Sequence, residues 1–191
     1  MAKKKHMTKN DILRAYKEMR DIKHSADKAP FTGMATLCNY VLWKDEGWYQ
    51  KKLAEYNQCV AECDRLLDEG KLLLSDISKR LFDKAGFTVD YEPYTYEDIR
   101  IPKKMGALYK MEMEIIDSQN TINEMSVRYF LIHYNVLMDM GYGKMRLGRN
   151  KDYINSRLAV INKDDGHRVM DLHRELLDGV GVYIEMPDLR G

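Results

Sequence analysis

The strongest constraint on this chain is a stretch that occurs twice. Residues 40–53 read Tyr-Val-Leu-Trp-Lys-Asp-Glu-Gly-Trp-Tyr-Gln-Lys-Lys-Leu, and residues 134–147 read Tyr-Asn-Val-Leu-Met-Asp-Met-Gly-Tyr-Gly-Lys-Met-Arg-Leu. Overlaid without a gap, they share Tyr40/Tyr134, Asp45/Asp139, Gly47/Gly141, Trp48/Tyr142, Lys52/Arg146 and Leu53/Leu147. The flanks agree at Leu37/Leu131, Val60/Ile154 and Leu67/Ile161. One residue out of step, Gly86-Phe-Thr-Val89 answers Gly181-Val-Tyr-Ile184. Self-similarity at a fixed offset predicts a duplicated unit: helix, glycine corner, helix, helix, short strand. Chance likeness between two amphipathic corners is the competing explanation.

The expected fold is therefore mostly α, with two pseudo-repeated units and a minor two-stranded β element. The expected plan is a tail and helix over 1–30, a first unit over 31–91, a linker and helix over 92–124, and a second unit over 125–191, all in one compact domain.

Local patterns fill in this plan. Thr8 and Asp11 form a capping-box-like pair before a helix with Ile12, Ala15, Met19 and Ile22 on one face. Pro30 closes that region, and Thr32 is placed to cap the helix that runs to Gly47. Next, Tyr49, Leu53, Tyr56, Val60, Cys63 and Leu67 alternate by fours and threes, a seam that calls for a partner helix. Leu147, Ile154, Leu158 and Ile161 form the matching seam. The two seams are expected to pair within the chain or with a second copy, so a homodimer is an open expectation. Helices are predicted over 72–84 and 167–178, and paired strands over 87–91 and 182–186. Pro93 and Pro102 mark the linker, and a helix from Pro102 is expected to break or bend at Ser118–Thr121.

Composition removes several function classes. With 32% charged and 45% apolar residues the chain reads as globular, and its net charge of +1 argues against general polyanion binding. No apolar run reaches the roughly 20 residues of a membrane span. Met1-Ala-Lys-Lys-Lys-His6 is basic with no apolar segment after it, which reads as a solvated tail rather than a secretory signal. Three cysteines, Cys38, Cys59 and Cys63, form no disulfide framework and suit a reducing cytoplasm.

Catalytic and metal motifs are weak throughout. Gly141-Tyr-Gly-Lys144 follows a helix and is not followed by Ser or Thr, so it reads as a glycine corner rather than a phosphate loop. Cys59 and Cys63 share a helical face, but Cys63 sits in the apolar seam and His167 and His173 are badly spaced. His133 lies in an apolar stretch, where a hydrogen-bonded core histidine is the default. The expectation is a non-enzymatic protein with no cofactor and no metal.

One patch stands out for binding. Lys144, Arg146, Arg149, Lys151 and Arg157 meet a single acid, Asp152, beside Tyr142 and Tyr153 at a helix start. Such a cluster can hold phosphates or an acidic protein surface. The competing reading is a solvated helix whose basic stems cover its own core. The first corner, with Gly47, Trp48, Lys51 and Lys52, is surrounded by Glu46, Glu55, Glu62 and Asp64, so the patch is expected to be one-sided.

Met140-Gly-Tyr-Gly-Lys-Met-Arg-Leu147 resembles a Gly-Phe-Gly-Lys-Lys-Arg-Leu segment of small phage and prophage proteins of Firmicutes. Tyr142 stands for Phe and Met145 for a lysine; the likeness spans about 125–160. Phage accessory proteins of this size and type include anti-CRISPR inhibitors of Cas9. The resemblance therefore implies a binding protein that antagonises a host nuclease, with Cas9 or its guide complex as partner, in the host cytoplasm. The alternative is a phage DNA-binding accessory factor acting through residues 142–157.

Overall fold

The computed structural model describes residues 29–89, 107–161 and 167–184. Within them are six helices: α1 (Ala29–Lys44), α2 (Gln50–Asp68), α3 (Leu74–Ala85), α4 (Ala107–Asp139), α5 (Lys144–Ile161) and α6 (His167–Val180). The protein is mostly helical, and none of these helices is long and apolar enough to cross a membrane.

α1 and the C-terminal part of α4 form the centre. α1 packs on α4, α5 and α6, while α4 packs on α1, α2 and α3. Each central helix is thus held chiefly by the two helices that follow the other one. Their shared core includes Leu37, Val41 and Leu42 of α1, Leu53, Tyr56 and Val60 of α2, and Ile77 and Leu81 of α3. Ile132 and Leu137 of α4 and Leu147 and Ile154 of α5 complete it. Each such side chain contributes about 1.5–3 kcal/mol through burial. The same cross-over recurs in the ion pairs. Asp45, after α1, accepts from Arg157 of α5 at 2.8 Å, and Asp139, ending α4, pairs with Arg80 of α3.

The two corners share a glycine of positive φ but close with different backbone bonds, Trp48 N donating to Leu42 O at the first. Gly47 and Gly141 adopt positive φ of 71° and 89°, a region open to glycine and strained for other residues. Each is followed by a buried aromatic, Trp48 or Tyr142, and then by a buried leucine, Leu53 or Leu147. At the second corner, Tyr142 N donates to Leu137 O at 2.9 Å and Gly141 N to Met138 O at 3.1 Å, the paired bonds of a Schellman motif.

Several expectations change. Among the described residues there is no strand. Residues 87–89 and 182–184 lack ladder bonds, and 90–91 and 185–186 lie outside the described residues. Phe87 and Val182 instead plug the core directly after Gly86 and Gly181, their N–H groups returning to Leu81 O and Leu176 O. The backbone need that called for strand pairing is met there by helix termination.

α4 runs unbroken through 118–121, because Thr121 Oγ1 donates to Asp117 O at 2.9 Å, satisfying the hydroxyl inside the helix. α1 begins at Ala29, so Pro30 lies in its first turn, where a missing N–H costs nothing, and Thr32 is inside the helix rather than capping it. Tyr49 leaves the seam: it precedes α2 and is 78% exposed. The α2 seam packs chiefly on α4 and the α5 seam on α1, so the burial that suggested a homodimer is supplied within the chain. The expected N-terminal helix and the linker at 92–102 fall outside the described residues.

The corner junction as candidate functional site

The two corners meet. The rings of Trp48 and Tyr142 lie 6.0 Å apart, edge to face. Each carries a cation on its outer side: Lys52 Nζ is 4.0 Å from the Trp48 ring centre, and the Arg146 guanidinium 3.9 Å from that of Tyr142. Lys52 and Arg146 reach their rings for the same local reason. Each sits four residues after its aromatic on the first turn of the following helix, so its side chain leans back over the corner. Such stacks contribute about 0.5–1 kcal/mol each at exposed sites.

Glu46 lies between the corners. Its side chain is only 3% exposed. Oε2 accepts from the Tyr142 hydroxyl at 3.3 Å and from Arg149 at 3.4 Å, with Arg146 at 3.9 Å. Oε1 is buried and has no hydrogen-bond partner. Burial, with the Glu46 charge second, pushes the Tyr142 hydroxyl up to about 12, so the phenol stays protonated and donates.

Acidic side chains of the first corner stand against this basic cluster. Arg146 and Arg149 face Glu46, and Arg157 faces Asp45. Lys144 reaches the carbonyl end of α3, its Nζ 3.5 Å from where a side chain on Gly86 would begin. There its charge suits the negative end of the helix dipole. Lys151 Nζ lies 5.6 Å from the Phe87 ring centre. The structure thus brings Tyr142, Arg146 and Arg149 together with Gly47 and Trp48, while Arg157, Lys144 and Lys151 grip neighbouring elements. Gly143 accepts at the start of α5, from Arg146 N and Leu147 N, as Tyr49 O does at the start of α2. Glu46 and Tyr49 are the site residues that sequence reasoning missed. Glu46 stands 96 positions from Tyr142, and no spacing signal connects them.

Beside the junction is an open depression of about 500 Å³ lined by Glu46, Trp48, Tyr49, Lys51, Glu55 and Arg146, among others.

Beneath the corners runs a buried polar chain. Tyr56 hydroxyl lies 2.7 Å from His133 Nδ1 and 3.2 Å from the Tyr129 hydroxyl, and His133 Nε2 lies 2.8 Å from Asn150 Oδ1. Asn150 Oδ1 only accepts, so His133 Nε2 carries the proton and Nδ1 accepts from Tyr56. Tyr56 oxygen in turn accepts from Tyr129. Burial holds His133 down to about 4, keeping the ring neutral. This is the core histidine expected from sequence, linking α2, α4 and α5.

Among the described residues, no group of three His, Cys, Asp or Glu side chains is arranged to hold a metal ion. Cys38 and Cys63 are buried and Cys59 is exposed. No protein family, curated protein or solved structure matches the chain.

Proposed function

We propose that this chain is a non-enzymatic binding protein and that the corner junction is its contact surface for another protein. The observation that carries this reading is the charge make-up of the junction. Glu46 and Asp45 stand directly against the arginines of the basic cluster. A phosphate backbone gains affinity from cations free to replace its counterions, and carboxylates among those cations oppose it. A protein surface of mixed charge is matched better, and Trp, Tyr, Arg and Met are the residues that anchor such interfaces. Tyr49 and Met145, 78% and 88% exposed, add apolar area beside the corners.

The resemblance to phage proteins points to a host defence nuclease, Cas9 in particular, as the partner. On this reading the protein inhibits by occupying the nuclease's nucleic-acid path or by blocking a domain movement. The test is a pulldown of Cas9, with and without guide RNA, beside a gel shift on DNA alone. Capture of Cas9 with loss of cleavage, and no DNA shift, supports the proposal. A DNA shift without Cas9 capture overturns it in favour of a DNA-binding accessory protein.

The same proposal takes the two halves as products of duplication. It is supported by the matching glycine φ angles, the matching aromatic–cation stacks and the reciprocal packing of α1 and α4. Superposition of residues 31–89 on 125–184 tests it: Gly47 and Gly141 must coincide.

A further inference from the structure

We infer that the junction is also where two copies of this chain meet, about a two-fold axis that crosses the outer side of α2 near the level of Leu53. This face is separate from the two apolar seams, which pack within the chain.

The first observation is a charge pattern that complements itself. Lys51 and Glu55 line the depression beside the junction, and both are exposed. They stand four positions apart, so they share one face of α2. Among the described residues neither makes a hydrogen bond or an ion pair. A surface of one charge sign would attract one of them and repel the other. A surface that suits both carries an acid and a base at the same spacing in the opposite order. This chain has that surface, because it is α2 turned end for end. Across the axis Lys51 faces Glu55 of the second copy, and Glu55 faces Lys51 of the second copy, the reciprocal pairing of an isologous contact.

The second is apolar area beside those charges. Tyr49 is exposed at the rim of the depression, at the N-cap of α2, and its side chain caps nothing. Serine, threonine, asparagine or aspartate there would accept from a free helix N–H, so tyrosine brings the helix no local gain. A tyrosine ring is a usual anchor of a protein interface. Met145 holds on the second corner the position that Lys51 holds on the first, and it too is exposed.

The third is that the other cations are occupied. Lys52 and Arg146 lie over the Trp48 and Tyr142 rings, and Glu46 faces Arg146 and Arg149. A net charge of +1 adds little repulsion between copies.

This inference goes beyond the binding function proposed above, under which the second copy and the other protein compete for one face. Sedimentation of the full-length protein alone tests the dimer, and the pulldown tests the binding function, so either can fail without the other. Sedimentation velocity is expected to show a monomer–dimer equilibrium between about 1 and 200 µM, weakening as salt rises. Tyr49→Ala weakens association at least about fivefold. Lys51→Glu and Glu55→Lys, each alone, set two like-charge pairs across the axis and weaken it at least about tenfold. The double variant, Lys51→Glu with Glu55→Lys, restores both pairs in reverse order and returns association to within about threefold of the parent. All these positions are exposed, so circular dichroism and the thermal midpoint stay close to the parent's. A chain that stays monomeric up to about 200 µM, a dimer that both single reversals leave intact, or a double variant no tighter than the single ones each overturns the assignment.

Discussion

Replacing Tyr56 by Phe tests the buried polar chain at its most connected atom. The Tyr56 hydroxyl donates to His133 Nδ1 at 2.7 Å and accepts from Tyr129 at 3.2 Å, and all three residues are fully buried. The substitution keeps the ring, so the Trp48 and His133 edge contacts survive and no cavity larger than one oxygen appears. It leaves His133 Nδ1 without a donor and the Tyr129 hydroxyl without an acceptor. Each orphaned group costs about 1–3 kcal/mol. The sum is about 2–4 kcal/mol, because the 3.2 Å contact is the weaker of the two. In a chain of this length 1 kcal/mol moves the midpoint by about 2–4 °C, so Tm falls by roughly 4–16 °C. Tyr40→Phe is the control. Its hydroxyl also makes a hydrogen bond, to Glu175 at 3.0 Å, but near solvent, where water can replace it. That variant loses less than about 1 kcal/mol. Urea unfolding followed by circular dichroism measures both. If Tyr56→Phe is no less stable than Tyr40→Phe, the chain does not hold the halves together and the reasoning is refuted.

Three further outcomes follow from the same geometry. His133 is held down to about 4 by burial, against 6.5 unfolded, so between those values the unfolded chain binds the extra proton. Stability is full above pH 6.5 and falls by about 3 kcal/mol on the way to pH 4, and His133→Gln flattens that part of the profile in urea unfolding across the range. A side chain on Gly179 would run into the Trp43 ring, whereas one on Gly33, inside α1, meets nothing within 4 Å. Gly179→Ala therefore destabilises by about 1–2 kcal/mol and Gly33→Ala stabilises by up to about 1 kcal/mol; calorimetric shifts of the same sign in both would refute the packing argument. Exchanging Arg146, Arg149 and Lys151 for Glu was expected from sequence to leave stability nearly unchanged. With Glu46 buried against two of them, the triple variant instead loses about 1–3 kcal/mol, and an unshifted thermal midpoint would show that these arginines are not engaged.

Whatever depends on neighbours in the chain was readable from residue order. Periodicity placed α2, α3, α5 and α6 to within a few residues, because an apolar stripe at helical spacing has few other uses. Gly47 and Gly141 were legible as corners, since a positive φ suits glycine and few other residues. The likeness of the two segments made the paired aromatics, Trp48 and Tyr142, visible as counterparts. Which helix each seam packs on emerged only on folding. The seams of α2 and α5 are satisfied by α4 and α1, a choice set by the direction each corner gives the chain and not by any residue pattern. Among the described residues the predicted strands do not form, for a similar reason. Phe87-Thr-Val has strand composition, but the core needed a plug after Gly86, and burial outweighed propensity. The site was half legible. Basic residues at 144–157 are adjacent in sequence, so they were found; Glu46 and Asp45 come from the other half, and a charge cluster reads as free until folding brings its counterions to it.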